Sequence, residues 1–124
     1  MKYQCLGYFN QEKMDALPKE KVDAIMLECQ HHLEKLYKSG HILMDAGVAQ
    51  EVKTLQRING RIQIDDGGLA DSPKMLGSSF IIEAKDMEEA IQVASQHPTV
   101  QVSDGEQLGW EIEIRPIDSF EMRE

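Results

Sequence analysis

The sequence predicts an α+β fold, an antiparallel sheet with two helices on one of its faces. Three observations carry that prediction. A short aromatic and apolar run at the start is followed by a long helical pattern. An Asn-Gly pair separates two strand-like runs, and a second apolar run, a capped helix and an alternating run close the chain. The 124 residues, 41% hydrophobic and 28% charged, suit a single domain over residues 1–124 built around one core.

Lys2 to Phe9 is short and rich in aromatic and apolar residues, as a strand is, with Tyr3, Cys5 and Phe9 on one side and Leu6 and Tyr8 on the other. After a polar turn, Pro18 can open a helix at its first position, where its missing N–H costs nothing. Val22, Ile25, Met26, Cys29, Leu33, Leu36 and Tyr37 then recur at spacings of three and four and form one apolar stripe. The helix is expected to stop at "KSGH", where Lys38 offsets the carbonyl end of the dipole and Gly40 can take the left-handed closing conformation.

Val52 to Ile58 and Arg61 to Asp65 flank Asn59 and Gly60. Both residues of such a turn must tolerate positive φ, so two hairpin strands are predicted there. Ser79 to Ala84, containing "FIIEA", reads as a buried strand. Asp86, with Glu89 three residues on, forms an Asp-x-x-Glu variant of the capping box ahead of Met87, Ala90, Ile91 and Ala94. A second helix of about three turns is expected, and Pro98 cannot continue it. Finally "WEIEIRP" alternates, with Trp110, Ile112 and Ile114 on one face and Glu111, Glu113 and Arg115 on the other.

The order strand, helix, two hairpin strands, strand, helix, strand is the split β-α-β arrangement of ferredoxin-like folds with an extra strand or extended hairpin in the middle. Both helices then cover one face of the sheet. Without a third helix to cover the other, the natural cover is a second copy of the chain, so a homodimer is expected.

A formal charge of −9 and a pI near 4.9 argue against a grip on nucleic acid or anionic lipid, which need clustered Lys and Arg. No apolar run is long enough to span a bilayer, and "MKYQCLGYFNQEK" turns polar too soon for a signal peptide, so a cytoplasmic location is expected. Cys5 and Cys29 form no C-x-x-C pair and read as small buried thiols rather than a disulfide or a nucleophile.

"NGRIQIDDGGLADSPKMLGSSFIIEAKDMEEAIQVASQHP" followed by "EIEIRPI" resembles the YCII-related family in its Asp-Gly-Pro-Phe (DGPF) branch. "MKYQCLGYF" and "SGHILMDAG" fit as well, so the resemblance spans most of the chain. It implies a dimeric α+β barrel with a pocket between the open sheet face, the helices and the dimer mate. Asp66, Gly67, Arg57 and Arg115 are the candidates for lining it. The family's Asp-Gly-Pro-Phe turn reads Asp66, Gly67, Gly68, Leu69 here, and the usual arginine before the hairpin falls at Gln56, with Arg57 beside it on the opposite face.

The better-described YCII branch resembles a small acid-base enzyme with a histidine on the first helix and an aspartate before the proline after the second. Carried over by spacing, those positions are Glu28 and His97. A Glu that orients one imidazole nitrogen leaves the other free as a base suited to moving protons near neutral pH. The alternative makes His97 the last residue of a helix, its partly cationic ring favouring the dipole, and Glu28 a solvated acid. His31, His32 and His41 are not read as a metal site, because adjacent helical residues point about 100° apart. The "DDGG" turn lacks the ligand spacing of a calcium loop and the ending of a phosphate loop, and reads as backbone architecture.

Two functions stand from different classes. One is a homodimeric small-molecule-binding or regulatory accessory domain, since members of the resembled branch are often associated with alternative sigma-factor systems. The other is a lyase or isomerase of small aromatic or lactone-like compounds, with His97 as proton shuttle and Glu28 orienting it. Neither calls for a cofactor or a metal.

Overall fold

The computed structural model describes residues 1–68 and 73–123. Strand β1 (Lys2–Asn10) leads through a short helix α1 (Gln11–Asp15) into the long helix α2 (Lys19–Lys38) and then β2 (Ile42–Gly47). β3 (Lys53–Ile58) and β4 (Arg61–Asp66) form a hairpin. After β5 (Lys74–Glu83) come α3 (Met87–Ala94), α4 (Pro98–Gln101) and α5 (Gly105–Leu108), and β6 (Glu111–Pro116) closes the fold. Four strands make an antiparallel sheet in the order β2-β5-β1-β6. The result is a mixed α+β architecture with antiparallel sheets, consistent with a ferredoxin-like fold.

The hairpin differs from expectation in its place. Its turn is as the residues dictate, with Asn59 at φ 52° and Gly60 at φ 77°, yet β3 and β4 pair with each other as a separate two-stranded sheet. An Asn-Gly signal reports the local turn and says nothing about what the hairpin joins. The strand that does join the main sheet is β2, which is not among the strands expected from the sequence. A bulge hides it: Ile42 lies opposite Ile82 and Met44 opposite Ile81, so Leu43 is an extra residue and the period-two alternation breaks there.

The second helix also differs. α3 ends at Ala94, and Pro98 opens a new short helix at the position where a proline fits best. His97 is therefore the N-cap of α4 and not the last residue of a helix. The start of α3 is as expected: Asp86 Oδ1 accepts the Glu89 N–H at 2.9 Å, while the Glu89 carboxylate reaches back to the Lys85 N–H at 3.1 Å. α1, capped by Asn10 Oδ1 on the Lys13 N–H at 3.0 Å, and α5, four residues without a side-chain cap, are additions to the expected elements.

The core lies between the helices and one sheet face. Tyr3, Cys5, Phe80 and Ile82 from the sheet meet Leu36 of α2 and Ala90, Val93 and Ala94 of α3. A second cluster joins Ile25 of α2 to Val102 and Leu108, with Trp110 packed against it. The α2 stripe is only partly used by this core. Ile25 and Leu36 are buried, whereas Met26 and Tyr37 are about half exposed, at 47% and 48%. The opposite face of the sheet carries Gln4, Leu6 and Tyr8 of β1, Met44 of β2, Ile81 of β5 and Glu113 and Arg115 of β6.

Candidate functional site

The unused part of the α2 stripe borders a cavity. α2 leans on α4, and the gap left between α2 and the sheet has a volume of about 680 Å³, within the range that holds small organic ligands. Val22, Met26, Cys29 and Leu33 of α2 form one wall, and Phe9 and Trp110 contribute aromatic surface on the other side.

One end of the cavity is polar, and local backbone features put it there. The Leu43 bulge sets Asp45 opposite Phe80, whose other neighbour across the sheet is Cys5, so all three share the helix-covered face. Without the extra residue Asp45 would lie opposite Ser79 and turn to the other face. Tyr37 on α2 donates its hydroxyl hydrogen bond to Asp45 Oδ2, and that acceptor pushes the phenol up to about 12. Gly7 matters for a related reason: a Cβ there would stand 2.4 Å from Ser78 Oγ and 3.2 Å from Thr99 Oγ1. Two hydroxyls thus gather over a bare Cα.

His97 completes this end. It is only 4% exposed, and its ring stacks on Phe80 with centroids 4.4 Å apart and planes 4° from parallel. Nδ1 accepts the Thr99 N–H at 3.1 Å, capping α4, so the proton of the neutral ring belongs on Nε2. Burial lowers the imidazole pKa to about 4, with the Asp45 charge acting in the opposite direction. The ring is neutral at pH 7, and the partly cationic helix-end histidine expected from sequence does not exist.

The YCII-related domain profile matches residues 1–116. The chain belongs to the YCII-related family. Among solved structures, the protein is similar to 5-chloro-2-hydroxyhydroquinone dehydrochlorinase from Burkholderia phenoliruptrix AC1100, determined in complex with 2,5-dihydroxybenzoquinone. The identity is 16%, the alignment covers 95% of this chain and 94% of that one, and the TM-score is 0.49. No curated protein matches.

In this YCII-related protein the residues singled out from sequence are dispersed. His97 borders the cavity. Glu28 does not: it is exposed on α2, with Oε1 3.9 Å from His32 Nε2, and its neighbour Cys29, about 100° further round the helix, faces the cavity instead. The carboxylate that acts electrostatically on His97 is Asp45. Its sequence signal was a lone acid inside the apolar run "ILMDAG", which the bulge made hard to read as a strand. Asp66, Gly67 and Arg57 belong to the hairpin and its exit. Asp66 pairs with Lys53, Arg57 is exposed opposite Ile62, and Gly67 at φ 100° accepts the Thr54 hydroxyl at 2.7 Å. Arg115 is exposed on the uncovered sheet face, 3.1 Å from Glu113. None of these four borders the cavity. Leu69 to Ser72, part of the family turn, lie outside the described residues.

The remaining histidines are tied locally. His41 Nδ1 lies 2.8 Å from the Glu83 carbonyl, and the His31 and His32 rings meet edge to face at 6.0 Å. Among the described residues no group of three His, Cys, Asp or Glu could hold a metal ion. No helix among them is long and apolar enough to cross a membrane. Cys5 is buried and Cys29 half-buried, both as thiols; burial raises each thiol pKa, that of Cys5 to about 11.

Proposed function

We propose that this protein is a homodimeric binding domain for a small organic molecule, of the DGPF branch, serving a regulatory or accessory role. The observation that carries the reading is the cavity itself: apolar and aromatic walls ending in Asp45, Ser78, His97 and Thr99 are the composition of a ligand site. A protein-observed NMR screen of small ring compounds tests it. Hits are expected to move the Trp110 indole signal, and Met26→Trp, which fills the cavity from the α2 wall, is expected to abolish their binding. Absence of any hit at millimolar concentration would remove the reading.

A second reading, acid-base catalysis on small aromatic or lactone-like compounds, draws support from a carboxylate and an imidazole, Asp45 and His97, lining one cavity, with Asp45 rather than Glu28 as the acid whose charge acts on the ring. Binding is preferred on physical grounds. A general base works best with a pKa near the operating pH, and an imidazole held at about 4 is a weak base at neutrality. Turnover that survives His97→Asn unchanged would end the proton-shuttle role. The dimer is supported by the uncovered sheet face, where Glu113 and Arg115 supply charges of both signs for a self-complementary contact.

A further inference from the structure

The cavity has a charge asymmetry that selects among ligands. Among the described residues Asp45 is the one charged side chain on its lining, and neither a Lys nor an Arg borders it. Asp45 is half-buried, its polar partner is the neutral Tyr37 hydroxyl, and no ion pair engages it among the described residues. Two lysines of the adjoining helices are held by other partners, Lys13 Nζ by the Gln107 carbonyl at 3.1 Å and Lys21 Nζ by Asp104 at 3.0 Å, and Lys35 and Lys38 of α2 do not border the cavity. His97, the other titratable group facing Asp45, has its Nδ1 lone pair occupied by Thr99.

A half-buried carboxylate beside apolar walls, with no cation paired to it, is a ready partner for one. We propose that the cavity recognises an organic ammonium ion, a compound with a protonated amine on an apolar, ring-sized body, and that Asp45 is its counter-ion. The ammonium donates to the Asp45 carboxylate in a charge-assisted hydrogen bond, about twice as strong as a neutral one. Phe9 and Trp110 offer ring surface that attracts cations and apolar groups alike. A carboxylate ligand would meet Asp45 as a like charge, within a molecule whose net charge of −9 already draws cations and repels anions.

This inference rests on the cavity being a ligand site, and a matched trio separates the two ideas. 2-Phenylethylamine, 2-phenylethanol and phenylacetate share a ring-sized body and differ in charge. Each is titrated near neutral pH into the full chain, following fluorescence of Trp110, the only tryptophan, with calorimetry as a second readout. The amine is expected to bind about tenfold or more tightly than the alcohol, a difference of about 1.4 kcal/mol, and phenylacetate weakest. Asp45→Asn keeps the shape and an acceptor for Tyr37, and is expected to bring the amine down to the level of the alcohol. If the alcohol or phenylacetate binds as well as the amine, or if Asp45→Asn leaves the preference intact, the ammonium assignment is wrong while the ligand site stands. If none of the three binds, the ammonium assignment falls, and if the NMR screen also finds no ligand the ligand site falls with it.

Discussion

His97 shows how one buried group ties stability to pH. Its folded pKa, about 4, lies below the ordinary 6.5. Above pH 6.5 the ring is neutral in both folded and unfolded chains, and the full stability is present. As pH falls from 6.5 towards 4 the unfolded chain binds a proton that the folded one refuses, so stability is lost, on the order of 3 kcal/mol in all. His97→Asn retains a capping acceptor without the titration. Denaturant unfolding at several pH values is expected to show a shallower acid-side decline in that variant, and equal slopes would contradict the assignment. Gly7 makes a second residue-scale case. Gly7→Ala drives a methyl group into Ser78 Oγ, at an expected cost of about 1–3 kcal/mol, and adding Ser78→Ala recovers part of the loss. A double-mutant cycle measures the coupling, and simple additivity would mean that the two do not touch.

Elements differ in how much each depends on its neighbours. α3 begins on a side-chain cap that the sequence alone displays, and Asp86→Ala is expected to destabilise the protein by about 1 kcal/mol, measurable as a lower denaturant midpoint. The β3–β4 hairpin is the opposite case. It hydrogen-bonds within itself and to no strand of the main sheet among the described residues, so replacing residues 52–67 by a short Gly-Ser bridge is expected to leave the strand pairing of that sheet intact, with a lower midpoint only by as much as association between copies contributes. A collapse of cooperative unfolding in the excised variant would show that the hairpin is part of the core after all.

At the scale of the molecule, both the hairpin and the open sheet face lack cover. Leu55, Ile62 and Ile64 are 65%, 69% and 65% exposed and share one hairpin face, and a lone two-stranded hairpin is marginal in water. Sedimentation at micromolar concentration is expected to give twice the 14.1 kDa chain mass, and Ile62→Lys with Ile64→Lys to lower it towards one chain. A monomer in the parent protein would overturn the dimer. The fold was legible in sequence where signals are local: the α2 stripe, the Gly40 stop, the Asn59-Gly60 turn and the Asp86 cap each act within a few residues. The candidate site was legible only at His97. Glu28 and Cys29 are adjacent in sequence, and the rotation of α2 sends one to solvent and the other to the cavity.

The sequence by itself determined the family, the α+β class and the main helix and strand signals, because helix periods, caps and turns are set by short-range sterics and hydrogen bonding. Tertiary structure alone decided that the hairpin stands apart, that β2 completes the sheet, and that Asp45 rather than Glu28 accompanies His97. The last turns on one extra residue at Leu43 and on the rotation of α2, the first two on which strands pair. All are settled by long-range pairing and packing, which periodicity along the chain does not record.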